Sequence, residues 1–69
     1  MLLNYKDQEE DKIMETKDYL IIYEINGVRH TLRENLSANR DIAIAEAIRI
    51  LNVQMAQSGI TNYKFISII

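Results

Sequence analysis

Residues 19–33 are rich in β-branched and aromatic residues, apolar residues then recur with helical spacing between residues 42 and 55, and a second β-rich run follows near the end. Two runs rich in β-branched and aromatic residues, 19–25 and 28–33, flank the dipeptide Asn26-Gly27. Asn-Gly between two such runs favours a type I′ turn, because both central residues of that turn need positive φ. The pattern therefore predicts a β-hairpin in which Ile25 faces Val28 and Tyr23 faces His30.

The register of this hairpin sorts its side chains onto two faces, because successive side chains of a strand point to opposite sides. One face is predicted to lie in the core and carries Tyr19, Ile21, Tyr23, Ile25, Val28, His30 and Leu32. The other face mixes aliphatic and charged residues and carries Leu20, Ile22, Glu24, Arg29, Thr31 and Arg33. One side of the hairpin should therefore pack against another element.

Residues from about 40 to 57 are predicted to form the helix that covers this core face. Ser37 and Asn39 suit an N-cap, Asp41 suits the first turn, and Gly59 supplies the stop. The apolar stripe expected against the sheet consists of Ile44, Ala47, Ile48, Leu51 and Met55. A second group of apolar residues lies on the opposite side of the helix among polar ones. One sheet covers only one side of a helix, so we call this second group the surplus apolar residues.

The last run of the chain, residues 60–69, is predicted to be a third strand. Strict alternation places Tyr63, Phe65, Ser67 and Ile69 on one side and Lys64, Ile66 and Ile68 on the other. The helix returns the chain, so this strand can pair beside the first strand. The first strand suits the centre of a sheet because its residues 20–23 are apolar on both faces. The prediction is an α+β fold of order β-β-α-β: a three-stranded antiparallel sheet, strand order 2-1-3, with one helix on one face. A third strand lying parallel beside the second is the alternative.

The first 18 residues differ from the rest of the chain in charge. They hold six carboxylates against three lysines, whereas the remainder is close to neutral. The predicted division is an acidic N-terminal arm, residues 1–18, and a single domain, residues 19–69. The arm, helical or extended, is expected to lie over the exposed side of the sheet through its apolar residues, Leu2, Leu3, Ile13 and Met14.

The amino-acid composition excludes several common kinds of active site. The chain has no cysteine and one histidine, which excludes disulfides, thiolate metal sites and sites with several histidines in one chain. His30 has no recognisable nucleophile or orienting carboxylate. The acidic run at residues 7–11 lacks the pattern of a calcium loop, and Gly27 and Gly59 serve a turn and a helix end. We predict no enzyme activity, no cofactor and no metal.

Two further predictions concern location. No window reaches the ~18 apolar residues of a membrane span, and no apolar segment of a signal peptide follows the first residues. The chain is therefore expected in the cytoplasm, without a membrane partner.

The surplus apolar residues predict a small protein–protein interaction module. It is expected to form a homodimer, and another protein is a further candidate partner. Small accessory proteins of bacteria and bacteriophages are often of this kind. The favoured interface is the back of the helix, with Ile42, Glu46, Arg49, Ile50 and Val53. The alternative is the exposed sheet face, with Leu20, Ile22, Arg29, Arg33, Lys64, Ile66 and Ile68. A third option is self-pairing of the second strand along its edge.

The alternative function is a nucleic-acid-binding module that uses the cations of the exposed sheet face, Arg29, Arg33 and Lys64. It is disfavoured because no aromatic residue lies on that face to stack on a base. The net charge of −2 and the acidic arm also oppose it.

Overall fold

The computed structural model describes residues 15–69 and contains four regular elements. They are strand β1 (Thr16–Ile25), strand β2 (Val28–Ser37), helix α1 (Arg40–Gln57) and strand β3 (Tyr63–Ile68). The sheet has the order β2-β1-β3, and both pairs of neighbouring strands are antiparallel. The predicted α+β architecture and its strand order are confirmed. We call the side of the sheet packed against α1 the helix face and the other side the open face.

The hairpin has the predicted turn and register. Asn26 and Gly27 both have positive φ, 53° and 82°, as a type I′ turn requires. Ile25 pairs with Val28 and Tyr23 with His30, and the pairing continues without a shift to Thr16 and Ser37. The register follows from the two-residue turn, which fixes every later pair along the ladder.

Both strands of the hairpin are longer than predicted. β1 begins at Thr16, so the predicted boundary between arm and domain after residue 18 lies inside a strand. This end of the hairpin is polar, which is why hydrophobic alternation did not reveal it. Its pairing is supported by a hydrogen bond from Asn35 Nδ2 to Asp18 Oδ1, 2.9 Å long. Residues 1–14, and with them the predicted packing of the arm over the open face, lie outside the described residues.

Helix α1 begins at the predicted cap. The Asn39 side-chain oxygen accepts hydrogen bonds from the backbone N–H groups of Asp41 and Ile42, at 3.0 and 3.4 Å. These bonds satisfy two of the N–H groups that a helix start leaves unpaired. The chain leaves the helix after Gln57 and turns through Gly59, whose φ is 71°.

The buried side of α1 is rotated from the predicted stripe. Its fully buried residues are Ala43, Ala47, Leu51 and Met55. Ile44 is half-buried and packs against this core as predicted, but Ile48 is exposed, so the predicted stripe is wrong at Ile48. The prediction that Ile50 points away from the core is also wrong, since Ile50 is half-buried and packs against the core. The physical reason is size: two alanines toward the sheet let the helix backbone approach it closely.

Strand β3 contains a bulge that strict alternation missed. Ile22 pairs with Ser67 and the next residue, Tyr23, with Phe65, so Ile66 is an extra residue on β3. A bulge reverses the alternation of side chains beyond it. Tyr63 and Phe65 therefore share the helix face with Ile68.

The bulge corrects the predicted membership of the open face. Ile68, predicted there, has no exposed surface and lies in the core under α1. Ser67 takes its place opposite Ile22, and Ile66 is half-buried at the bulge. Arg40 Nη2 donates a 2.9 Å hydrogen bond to the Ile68 carbonyl oxygen, which fixes the end of β3 to the start of the helix.

Candidate interaction surface

The outer edge of β2 is the first part of the candidate site. In a hairpin with a two-residue turn, the two residues that flank the turn form a hydrogen-bonded pair, and every second pair after them does the same. The backbone groups of the intervening residues on β2 point away from β1. Within residues 15–69, no other strand lies on that side of β2. The outward-pointing residues are Arg29, Thr31, Arg33 and Asn35, followed by Ser37.

Ser37 differs from the other four because side chains satisfy its backbone groups. Its N–H donates to Glu46 Oε1 at 2.9 Å, and its carbonyl oxygen accepts a hydrogen bond from the buried Tyr19 hydroxyl at 2.8 Å. Its own hydroxyl oxygen accepts from the Asn39 backbone N–H at 3.1 Å. The stretch of β2 that can accept a further strand is thereby limited to residues 29–35.

A groove lies between the end of β2 and helix α1. Its volume is about 650 Å³. We call it the edge groove. Leu36, Ile50 and Val53 supply its apolar part, and its rim is polar and charged. The remaining lining residues are Glu15, Thr16, Asn35, Ser37, Glu46, Arg49, Gln54 and Gln57.

The residues predicted as the helix-back interface come together here. Glu46, Arg49, Ile50 and Val53 line the edge groove, and Ile42 lines a smaller depression with Glu46 and Arg49 further along the helix. All five thus lie on one side of α1, and the four that line the edge groove lie next to the end of β2. Val53 is 49% exposed and Ile42 45% exposed.

The predicted patch on the open face is less continuous than expected. Leu20 and Ile22 are half-buried there, and Arg33 and Lys64 are exposed. Arg29 forms an ion pair with Glu24 on the same face, with 3.6 Å between Nη2 and Oε2. The tyrosines and the phenylalanine of the three strands all lie on the helix face, as their strand pairings show.

Sequence reasoning missed several residues of the site. Leu36 is buried on the same face of β2 as Leu32, but the three residues between them are polar, so hydrophobic alternation did not extend the strand to it. Val28 was assigned to the core, but it is 60% exposed on the helix face beside the turn. The helix does not reach over this corner of the sheet, and no local pattern indicates where a helix stops covering its sheet.

Outside the edge groove, the candidates for a functional role are His30, a metal site and a membrane helix. His30 is exposed and stacks on Tyr23, with 5.5 Å between the ring centroids and an angle of 18° between the rings. In residues 15–69 no group of three His, Cys, Asp or Glu residues is placed to hold a metal ion. No helix in this part of the chain combines the length and the apolar character that a membrane crossing requires.

Comparisons with protein-family models, with curated proteins and with solved structures find no match to this chain.

Proposed function

We propose that this protein acts by binding another protein chain along the outer edge of β2, and not by catalysis. The observation that carries the proposal is the position of the edge groove directly beside a strand edge that no other strand of residues 15–69 occupies. A strand added to a sheet edge gains main-chain hydrogen bonds, and its alternate side chains point into whatever lies beside that edge. Here those side chains would enter a groove whose centre is apolar.

The composition of the edge groove suits an interface with a protein. Ile50 and Val53 form an apolar centre with Leu36, while Glu46 and Arg49 stand on the rim. An apolar centre inside a polar, solvent-accessible rim is the usual composition of a protein–protein interface. A volume of about 650 Å³ has room for several side chains.

A nucleic-acid strand fits this surface less well. The cations that would contact phosphates lie on the open face, where Arg29 is already paired with Glu24. The aromatic side chains of the strands lie on the other face, so within residues 15–69 bases would have no stacking surface beside these cations. Nucleic-acid binding is retained as an outcome that the following experiment detects.

Photo-cross-linking from the edge groove tests the proposal. A photoreactive amino acid is placed at Val53 in the full chain, and the chain is irradiated in the cells that produce it. We expect a covalent adduct to a protein chain, because Val53 is exposed and lines the groove. The matched control carries the same amino acid at Ile48, an exposed aliphatic position of α1 outside the groove. This control should give no specific adduct.

Four results would contradict the proposal: no adduct from Val53, equal adducts from Val53 and Ile48, an adduct to nucleic acid, or an adduct only to residues 1–14 of the same chain. Mass spectrometry of the adduct distinguishes these results. It also distinguishes a second copy of this chain from a different protein.

A further inference from the structure

We propose that the chain bound at the β2 edge is a second copy of this protein, paired antiparallel about a two-fold axis that passes beside Leu32. This inference rests on the proposed function and names its partner. The result would be one continuous sheet with six strands from the described parts of the two subunits, since residues 15–69 of each contribute three. A two-fold axis perpendicular to the sheet keeps both helices on the same side.

The limits of the edge select the centre of this pairing. The turn at Asn26 and Gly27 ends the edge on one side, and the satisfied backbone of Ser37 ends it on the other. The available outward-pointing residues are Arg29, Thr31, Arg33 and Asn35, which are symmetric about residue 32. A two-fold pairing that uses all four places Arg29 opposite Asn35 of the second copy and Thr31 opposite Arg33.

Charge selects the same register. On the helix face it places Glu34 opposite His30 of the second copy and Leu32 opposite Leu32, so that a carboxylate meets an imidazole and a leucine meets a leucine. Moving the centre to residue 33 would set Arg33 opposite Arg33. Moving it to residue 31 would set Arg33 opposite Arg29. Like charges directly across a strand pair are destabilising, so both neighbouring registers are disfavoured.

The register also gives the exposed valine beside the turn an apolar environment. Val28 of the second copy comes to lie opposite Leu36, which lines the edge groove together with Ile50 and Val53. Val28 is 60% exposed in the single chain. Because a two-fold interface repeats every contact, each groove receives one valine from the other chain. An unrelated extended peptide would gain the main-chain hydrogen bonds without this valine or the contact between Glu34 and His30.

Disulfide trapping tests the register directly, because the chain contains no cysteine. In the proposed pairing Leu32 and its copy form a non-hydrogen-bonded pair, with Cα atoms about 4.5 Å apart. That distance lies within the range of disulfides. We expect Leu32→Cys in the full chain to oxidise to a covalent dimer as its main product.

Val28→Cys is the control. Its side chain is more exposed than that of Leu32, which favours random collision, but the two copies of residue 28 would lie eight positions apart along the strands, about 27 Å. Val28→Cys should therefore form little covalent dimer under the same oxidation.

A second pair of variants avoids any loss of stability at Leu32. Arg29→Cys and Asn35→Cys change two exposed residues, and each should form little covalent dimer when oxidised alone. Mixed together they should form the heterodimer, because a hydrogen-bonded antiparallel pair has Cα atoms about 5.5 Å apart. Different affinity tags on the two variants identify the mixed product.

The inference is overturned if Leu32→Cys forms no more covalent dimer than Val28→Cys, and if the mixture of Arg29→Cys and Asn35→Cys gives no excess of the heterodimer. Failure here is distinguishable from failure of the proposed function. An adduct from Val53 to a different protein, together with these monomeric cysteine variants, overturns the second copy as partner and leaves the interaction function standing. No adduct from Val53 to any other chain would contradict both.

Discussion

Leu51→Ala should lower the free energy of unfolding by about 2–5 kcal/mol, as truncation of a buried leucine does in general. Leu51 is 1% exposed and belongs to the core cluster that also contains Ile21 and Ile68. A chain of 69 residues has a total stability of roughly 3–10 kcal/mol. The loss is therefore a large share of the total, and much of the variant should be unfolded. Urea denaturation followed by circular dichroism measures it.

Ile48→Ala is the matched control for this change. It removes an aliphatic side chain from the same helix, but Ile48 is exposed at the helix surface. Its effect should be within about 1 kcal/mol, since surface substitutions usually change stability little. Equal losses at residues 48 and 51 would mean that α1 presents the originally predicted isoleucine stripe to the sheet.

Ile68→Ala should cost a comparable amount, again about 2–5 kcal/mol. The Ile68 side chain has no exposed surface, because the bulge at Ile66 turns it under the helix. The hydrogen bond from Arg40 goes to the backbone oxygen of Ile68, so the substitution leaves that bond in place. The cost then reports the buried side chain alone.

Ile69→Ala separates the bulged strand from a regular one. Ile69 is 69% exposed, although strict alternation assigns it to the core side with Tyr63 and Phe65. Thermal melting of both variants decides the matter. The structure requires a large drop in melting temperature for Ile68→Ala and a small one for Ile69→Ala. The reverse order would show that β3 is unbulged.

The hairpin was predictable because its determinants are local. Asn26 and Gly27 set the turn, the turn sets the register, and the register holds over the whole ladder to Thr16 and Ser37. The strand order was predictable for a related reason. A first strand that is apolar on both faces belongs at the centre of the sheet.

The sequence predictions that were wrong concern features set by contacts between secondary-structure elements. The bulge at Ile66 and the rotation of α1 toward Ala43 and Ala47 are set by how helix and sheet fit together. Neither can be recognised from the spacing of hydrophobic residues in the sequence. The polar start of β1 was missed because its pairing is a continuation of the ladder and contributes little hydrophobic burial.

The candidate site was predictable in part. Ile50 and Val53, grouped together from spacing alone, both line the edge groove, although Ile50 also packs against the core. Spacing did not indicate that they flank the outer edge of β2, or that Glu46 satisfies the Ser37 N–H and so limits that edge. Both facts depend on the angle at which α1 crosses the sheet.

Residue-resolved amide hydrogen exchange tests most directly whether a second chain pairs with β2. The measurement is made on the full chain at low micromolar and at millimolar concentration, and with any protein that cross-linking from Val53 has identified. At low concentration the inward-pointing amides of His30, Leu32 and Glu34 should be protected by β1, while those of Thr31 and Arg33 exchange rapidly.

Pairing with a second chain predicts that the amides of Thr31 and Arg33 become protected as well, and to a similar degree, when the concentration rises or the partner is added. Rapid exchange of these two amides under every condition would contradict the account, because no chain would then be hydrogen-bonded to the edge of β2.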